Sequence, residues 1–528
     1  MTQRDFHMPG RSAVFATNGM CATSTPLAAK VAVQILESGG NAVDAAIAAA
    51  VLLGITEPHM TGIGGDCFVL MKPAGSDEVL ALNGSGRAPA GLTGAMMRDK
   101  GHDTMPLRDA NAVTVPGAVD AFCTLAAEHG KLGLKAALAP AIHYARAGIP
   151  VAPRSAFDWA LLEPDLHGAA RDFYLLGGKA LTAGQIFRHE KQAEVLEKIA
   201  MDGRAGFYEG EVAEDMVSSL NALGGTHTLD DFAATACTWG DPISGTYKGV
   251  DLLEHPPNGQ GATAILLANI LSHFDIPTFG PVSQQRVHIE AEATKLAYDA
   301  RDRFVADMDY ITRLEHMLAP ETAKQLADLI DPARAMPDAR KASDNVHKDT
   351  VYLTVVDKDL CAVSMIYSIF HGFGSGLASS KFGINFQNRG AGFCLEEGHP
   401  NEANPGKRPM HTIIPAMLRE GGKITMPFGV MGGAYQCTGH ARFLSNVVDF
   451  GMDPQAAIDG PRAFAEGGLL KMERGYPVIV RTDLYEMGHK VAIPDTAIGG
   501  AQAIKIDYEN GVLIGGSDPR KDGCALGY

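Results

Sequence analysis

The sequence predicts an α+β fold in which stacked sheets are flanked by helices. Three observations carry this. Helices and antiparallel hairpins come in blocks rather than in strict βαβ alternation, which argues against a doubly wound parallel sheet. The segment "AMLREGGKITMPFGV" reads as two strands joined at a Gly-Gly turn. Hydrophobic residues make up 46% of the 528 positions and charged residues 20%, enough for a large buried core and too apolar for global disorder.

In chain order, the first 60 residues read as a strand and two Ala-rich helices. "PLAAKVAVQILESGG" ends at a glycine pair, and "NAVDAAIAAAVLLGI" starts behind a capping Asn41. The loop "TEPHMTGIGGD" leads to strands "CFVLM" and "EVLALNGSG". Residues 113 to 145 read as a turn and helices, and residues 150 to 235 as mostly helical. "GVDLLEHPPNGQGATAILLANIL" is strand, Pro/Gly loop, helix. Residues 284 to 345 are helical and highly charged, and residues 331 to 349 read as an exposed linker. After it the character changes. "TVYLTVVD", "CAVSMIYSI" and "GINFQN" read as strands, then the hairpin, then helices in "QCTGHARFLSNVVDFG" and "DPQAAIDGPRAF", then short strands.

Charge and cysteine content narrow the function classes. The net charge of −16 and a pI near 5.5 argue against nucleic acid or an anionic membrane as partner. The most apolar run, residues 42 to 56, carries Asp44 and is too short to span a bilayer. The N-terminus has no apolar signal core. Eight scattered cysteines without a C-x-x-C pair suit reduced thiols and a cytoplasmic location.

Few motifs carry chemistry by themselves. "HGFGSG" (371 to 376) lacks the lysine of a phosphate loop and reads as a tight turn. Asp307 and Asp309 in "DMDY" are a bare carboxylate pair without histidines, so no metal is expected. Gly432 and Gly433 in "FGVMGGAYQ" can aim two backbone N–H groups at one point, as an oxyanion needs, although a plain strand-to-helix corner accounts for them as well.

Together the pieces resemble a known family. "GGNAVDAAIAAA", "TEPHMTGIGGDCFVL", "AVTVPGAVDAF", "HPPNGQGATAILLANIL", "DTVYLTVVDKD", "GKRPMHTIIPAM" and "MGGAYQ" occur in the order of the γ-glutamyltransferase family of N-terminal-nucleophile (Ntn) hydrolases, over nearly the whole chain. The resemblance implies a four-layer αββα sandwich built from two autoproteolytic fragments, residues 1–349 and 350–528, interleaved as one unit. It implies a scissile bond between Asp349 and Thr350, with Thr350 as nucleophile and Ser368 as its hydroxyl partner. Gly432 and Gly433 become the oxyanion donors. No cofactor is implied. The expected partners are the small-molecule substrate and the chain's own cleaved fragment as an α/β heterodimer, with a dimer of these as a further state.

The sequence departs from the family's glutamyl-binding pattern. Where the resemblance places a carboxylate-binding arginine, "GSGRAP" has Ser85, with Arg87 two residues on. The family's amine-gripping asparagine and aspartate correspond to Phe370 and Gly392. A nearby glutamine corresponds to Arg389, and a Ser-Ser pair to His411-Thr412. The pocket thus loses its carboxylate grip at one end and its grip on an ammonium entirely, and gains a cation and an imidazole. An ammonium beside a buried arginine is costly. This favours a small carboxylate-bearing amide, as in the oxamate amidohydrolase and cephalosporin-acylase-like branch. The substrate-binding candidates are Arg389, Arg87, His411, Thr412, Ser85 and Phe370. Two alternatives stand beside it: a true γ-glutamyl or glutathione hydrolase, and a non-catalytic binding relative.

Overall fold

The structure is a computed structural model that describes residue 7, residues 10–336 and residues 350–528. Two seven-stranded sheets form its centre. Their strands are β1 (Val14–Ala16), β2 (Met20–Thr23), β3 (Asp66–Lys72), β4 (Leu80–Gly84), β5 (Thr238–Gly240), β6 (Ile243–Tyr247) and β7 (Val250–Glu254), followed by β8 (Val351–Val356), β9 (Ala362–Ser368), β10 (Ala416–Glu420), β11 (Lys423–Met431), β12 (Gly500–Asp507), β13 (Val512–Ser517) and β14 (Cys524–Gly527). One sheet runs β14-β2-β8-β9-β3-β4-β5 and the other β1-β13-β12-β11-β10-β7-β6. Every pairing within them is antiparallel.

The period-2 alternation of strands decides the layers. In β8, Val351, Leu353 and Val355 face the Ala-rich helices α1 (Pro26–Glu37) and α2 (Ala42–Thr56). Tyr352 and Val356 point the other way, into the space between the sheets, with Phe68, Leu70 and Ile366. The second sheet sends Leu252, Leu418 and Phe428 outward against α3 (Gly261–Leu271), α4 (Gln284–Phe304) and α5 (Gln436–Val448). The result is a four-layer αββα sandwich. Helix α2 is buried on all sides, and its start is fixed by a capping box between Asn41 and Asp44.

Most expected elements occur near their expected places. The Gly421-Gly422 turn closes the β10–β11 hairpin with φ of +55° and +84°, a conformation that suits glycine. "GINFQN" is not a strand. Its backbone instead serves the turn before it and the loop before β3: Phe386 N–H donates to Leu377 O, Ser375 N–H donates to Phe386 O, and Gln387 N–H donates to Gly64 O. A helix at Val478–Glu486 went unread because its exposed face carries Val478, Ile479 and Tyr485 and so lacks a clean amphipathic stripe. Asp349 and most of the expected linker lie outside the described residues.

The sheets touch where Gly429 on β11 faces Tyr352 on β8. A Cβ at Gly429 would come within 2.4 Å of the Tyr352 ring. Tyr352 is held there by its hydroxyl on Ser364 Oγ, at 2.7 Å. Gly429→Ala is expected to cost about 1–3 kcal/mol of stability, read as a lower urea midpoint. In the double variant with Tyr352→Ala the losses should be less than additive.

Candidate active site

Thr350 stands directly before β8 and Ser368 ends β9. The β8–β9 register pairs Val351 with Tyr367, so the next step brings Thr350 opposite Ser368. Their side chains share the inter-sheet parity of Tyr352 and Ile366. Thr350 Oγ1 and Ser368 Oγ are 3.1 Å apart. Ser368 Oγ also accepts from Phe370 N–H at 2.9 Å and Arg389 Nη2 at 3.3 Å.

Across the gap, β11 of the other sheet ends at Gly432 and Gly433, with φ of +121° and +58°. A Cβ at Gly432 would lie 2.8 Å from Gly499 Cα, so the loop around Gly499 also requires glycine there. Gln260 Nε2 donates to Gly433 O at 3.1 Å and Thr412 O at 2.7 Å, bracing this corner. A cleft of about 370 Å³ opens beside Thr350, walled by Gly432, Tyr435, Phe464 and the 494–499 loop.

Behind Ser368 lies a buried polar cluster centred on Asp66, the first residue of β3. Asp66 Oδ1 accepts from Gly86 N–H at 2.9 Å and Gln387 Nε2 at 3.0 Å, and Oδ2 accepts from His411 Nε2 at 3.0 Å. Arg389 Nε is 3.9 Å from the same carboxylate. Arg389 Nη1 donates to Thr412 Oγ1 at 3.2 Å, and the guanidinium stacks 4.0 Å from the Phe370 ring centroid. Burial pulls the Arg389 pKa down to about 9, against the pull of Asp66. Burial, then the Arg389 charge, holds His411 at about 3, so its imidazole is neutral. Phe370 takes φ of +80°, a strained conformation for a bulky residue, and its N–H reaches Ser368 Oγ.

The sequence candidates therefore divide. Thr350, Ser368, Phe370, Arg389 and Thr412 form one hydrogen-bonded or stacked group, His411 joins it through Asp66, and Gly432, followed by Gly433, lines the cleft beside Thr350. Arg87 turns away from it: its Nη1 donates to Gly406 O at 2.9 Å and lies 3.4 Å from Asp307, with the side chain 41% exposed. Ser85 Oγ accepts from Asn258 Nδ2 at 3.2 Å. A Cβ at Gly392 would come within 2.7 Å of Met410 O. Asp307 is occupied by Arg408 N–H. Asp66 was missed, although a carboxylate at the head of an otherwise apolar strand was a readable signal. Tyr435 and Phe464 were missed because only folding brings them to the cleft.

A threonine hydroxyl at the head of a strand inside an αββα sandwich, beside a cleft that Gly432 also lines, is the arrangement of Ntn hydrolases, enzymes that act on amide bonds. The sequence model described as Gamma-glutamyltranspeptidase matches residues 28–528, and the chain belongs to this family. It is 38% identical to the "glutathione hydrolase-like YwrD proenzyme" of Bacillus subtilis, over 97% of this chain and 99% of that protein. It is 34% identical to the "oxamate amidohydrolase proenzyme" of Klebsiella pneumoniae, with the same coverages. The crystal structure of cephalosporin acylase from Bacillus halodurans superposes with a TM-score of 0.93 at 37% identity, covering 100% of this chain and 99% of that one.

Burial also depresses His189, His227 and His255 to about 4, and His489, like His411, to about 3. Each of these five stays neutral when folded but takes up a proton at about pH 6.5 when unfolded. Their contribution to stability is complete above that pH and declines as pH falls toward about 4. Urea midpoints should therefore drop between pH 6.5 and 4. A flat profile there would refute neutral burial of these side chains.

Proposed function

We propose that the chain is a self-processing amidohydrolase that cuts itself between Asp349 and Thr350 and then hydrolyses a small carboxylate-bearing amide of the oxamate type. The observation that carries the substrate reading is the Arg389 guanidinium. It is fully buried, two hydrogen bonds from Thr350 Oγ1, and its Nε–H makes no hydrogen bond among the described residues. The Nε and Nη2 edge of an arginine is suited to a two-oxygen carboxylate. Arg87, the other sequence candidate, is engaged elsewhere. The similarity to a protein named oxamate amidohydrolase supports the same reading.

In this mechanism cleavage frees the α-amine of Thr350, with a pKa of about 7.7–8.0 in model peptides. The amine takes the proton of Thr350 Oγ1. The oxygen attacks the amide carbonyl, and the N–H groups of Gly432 and Gly433 bind the oxyanion, a role worth roughly 3 kcal/mol per donor. The ammonium returns its proton to the leaving nitrogen. Water then attacks the ester and restores Thr350. Ser368 orients the nucleophile, and Arg389 holds the substrate carboxylate, with Phe370 against its planar face, Thr412 fixing Nη1, and Asp66 3.9 Å from Nε as its counter-ion. The two products would remain one body as an α/β heterodimer, because each sheet contains strands from both sides of position 350. Eight free cysteines suit a reducing cytoplasm. Among the described residues no helix is long and apolar enough to cross a membrane.

A second reading is glutathione or γ-glutamyl hydrolysis. It is favoured by the 38% identity to a protein named glutathione hydrolase-like, and by a cleft larger than an ammonia leaving group requires.

The purified protein should separate into two fragments, the smaller beginning at Thr350 by mass spectrometry, while Thr350→Ala stays whole and inactive. An active enzyme whose small fragment starts elsewhere would end this account. In an ammonia-release assay oxamate should be turned over faster than glutamine, and faster than glutathione is hydrolysed. Arg389→Met should lower kcat/KM on oxamate about ten- to a hundredfold, the worth of a charged hydrogen bond, and change it much less on a neutral amide. Faster turnover of glutathione would favour the second reading.

A further inference from the structure

A second cluster of chemically capable side chains lies away from the Thr350 cleft. Successive turns of α4 present His288, Glu292 and Lys295 on one face. His489, three residues after the helix Val478–Glu486, meets them. His288 Nδ1 and His489 Nε2 are 2.8 Å apart, and His489 Nε2 is 3.9 Å from Glu292 Oε1. All three side chains are buried. His288, Glu292 and His489 offer two imidazole nitrogens and a carboxylate oxygen within 4.8 Å of one another.

The surroundings fix two of these groups, His288 and Glu292, as donors of electron pairs. His288 Nε2 lies 2.7 Å from Asp331 O, a carbonyl that can only accept, so Nε2 carries the proton and Nδ1 presents its lone pair to the gap. A backbone carbonyl in this position is how metal-bound histidines are commonly oriented. Glu292 Oε2 accepts from Met336 N–H at 2.7 Å, which leaves Oε1 facing the histidines. Lys295 Nζ also donates to Oε1, at 2.8 Å.

We propose that His288, Glu292 and His489 form a binding site for one divalent first-row transition ion such as zinc, joining the chain before position 336 to the chain after position 350. The donor set of two imidazoles and a carboxylate suits such an ion better than calcium or magnesium. Zn–N distances of about 2.0–2.1 Å place tetrahedral ligands farther apart than the two nitrogens now stand, so the imidazoles must part by about half an ångström. His489 would shift its proton from Nε2 to Nδ1, so the exchange is neutral. Lys295 tempers the affinity, since its ammonium sits on the same carboxylate oxygen. The site also secures residues 331–336, through Asp331 O on His288, Met336 on Glu292 and Lys295, and Ala335 N–H on Met487 O. Bound metal would thus hold together segments that lie on opposite sides of the Asp349–Thr350 bond.

The test uses the full-length protein with zinc or cobalt ions alone. After loading with zinc and desalting, mass spectrometry should find about one zinc per chain, and cobalt should give visible bands of a low-symmetry site. His288→Gln and His489→Gln should each abolish both signals, and Lys295→Met should tighten zinc binding by about tenfold or more, as expected on removing a charge a few ångströms from the ion. Zinc should raise the urea midpoint of wild type and of uncut Thr350→Ala, and chelation should reverse this. The Thr350→Ala arm separates the metal site from self-cleavage. Substoichiometric zinc with no cobalt bands would overturn the proposal. So would equal binding by both histidine variants, or binding that leaves the urea midpoint unchanged.

Discussion

The candidate site depends on one buried carboxylate. Asp66 joins four stretches of chain that are remote in sequence: the head of β3, the loop at Gly86, the segment carrying Gln387 and Arg389, and the segment carrying His411 and Thr412. Without it, Arg389 would be a buried cation with no counter-ion, a situation that typically costs 3–5 kcal/mol. It is also the residue paired with Ser368 across the β3–β9 ladder, so the sheet's register carries its position to the hydroxyl beside Thr350. One antiparallel ladder thus sets the hydroxyl beside Thr350 and the charge behind it together.

That arrangement explains why an energetically awkward backbone persists at Phe370. Its positive φ costs on the order of 1–3 kcal/mol in isolation. In return the N–H is turned onto Ser368 Oγ and the ring onto the face of Arg389. Both contacts keep the guanidinium and hydroxyl still in a dry setting, where a polar group out of place is expensive. The strain is held by the surrounding core, since Phe370 sits between a buried strand and a buried turn. A looser backbone here would leave Arg389 free to settle more fully on Asp66.

Much of the fold was legible because it follows from local chemistry. The Asn41 cap, the Ala-rich helices and the Gly421-Gly422 hairpin are each specified by a few adjacent residues. "GINFQN" misled because an apolar–polar alternation fixes no partner, and the neighbouring turn took its hydrogen bonds. At the site, the motif resemblance singled out Thr350, Ser368 and Arg389, but spacing could not separate Arg389 from Arg87. That distinction rests on Gly406 and Asp307, more than 200 residues from Arg87, which draw it away. The His288–His489 contact was hidden for the same reason, its partners being 201 residues apart.

The interleaving of the chain constrains the order of events on the proposed reading. Helix α2, from the first half, is wholly buried and packs against β8, which begins at Val351. Strand β8 lies between β2, from the first half, and β9, from the second. Neither half could bury its apolar faces alone, so neither is an independent domain. The parts of the site are likewise split between the two: Asp66 and Gln260 come from one side of position 350, and Ser368, Arg389 and Gly433 from the other. These groups meet Thr350 only once both sheets have formed. Folding must therefore precede the cut, and the cut removes a covalent link whose loss the packed sandwich can bear. What the break adds is local, a new amine on a threonine whose hydroxyl is already in place.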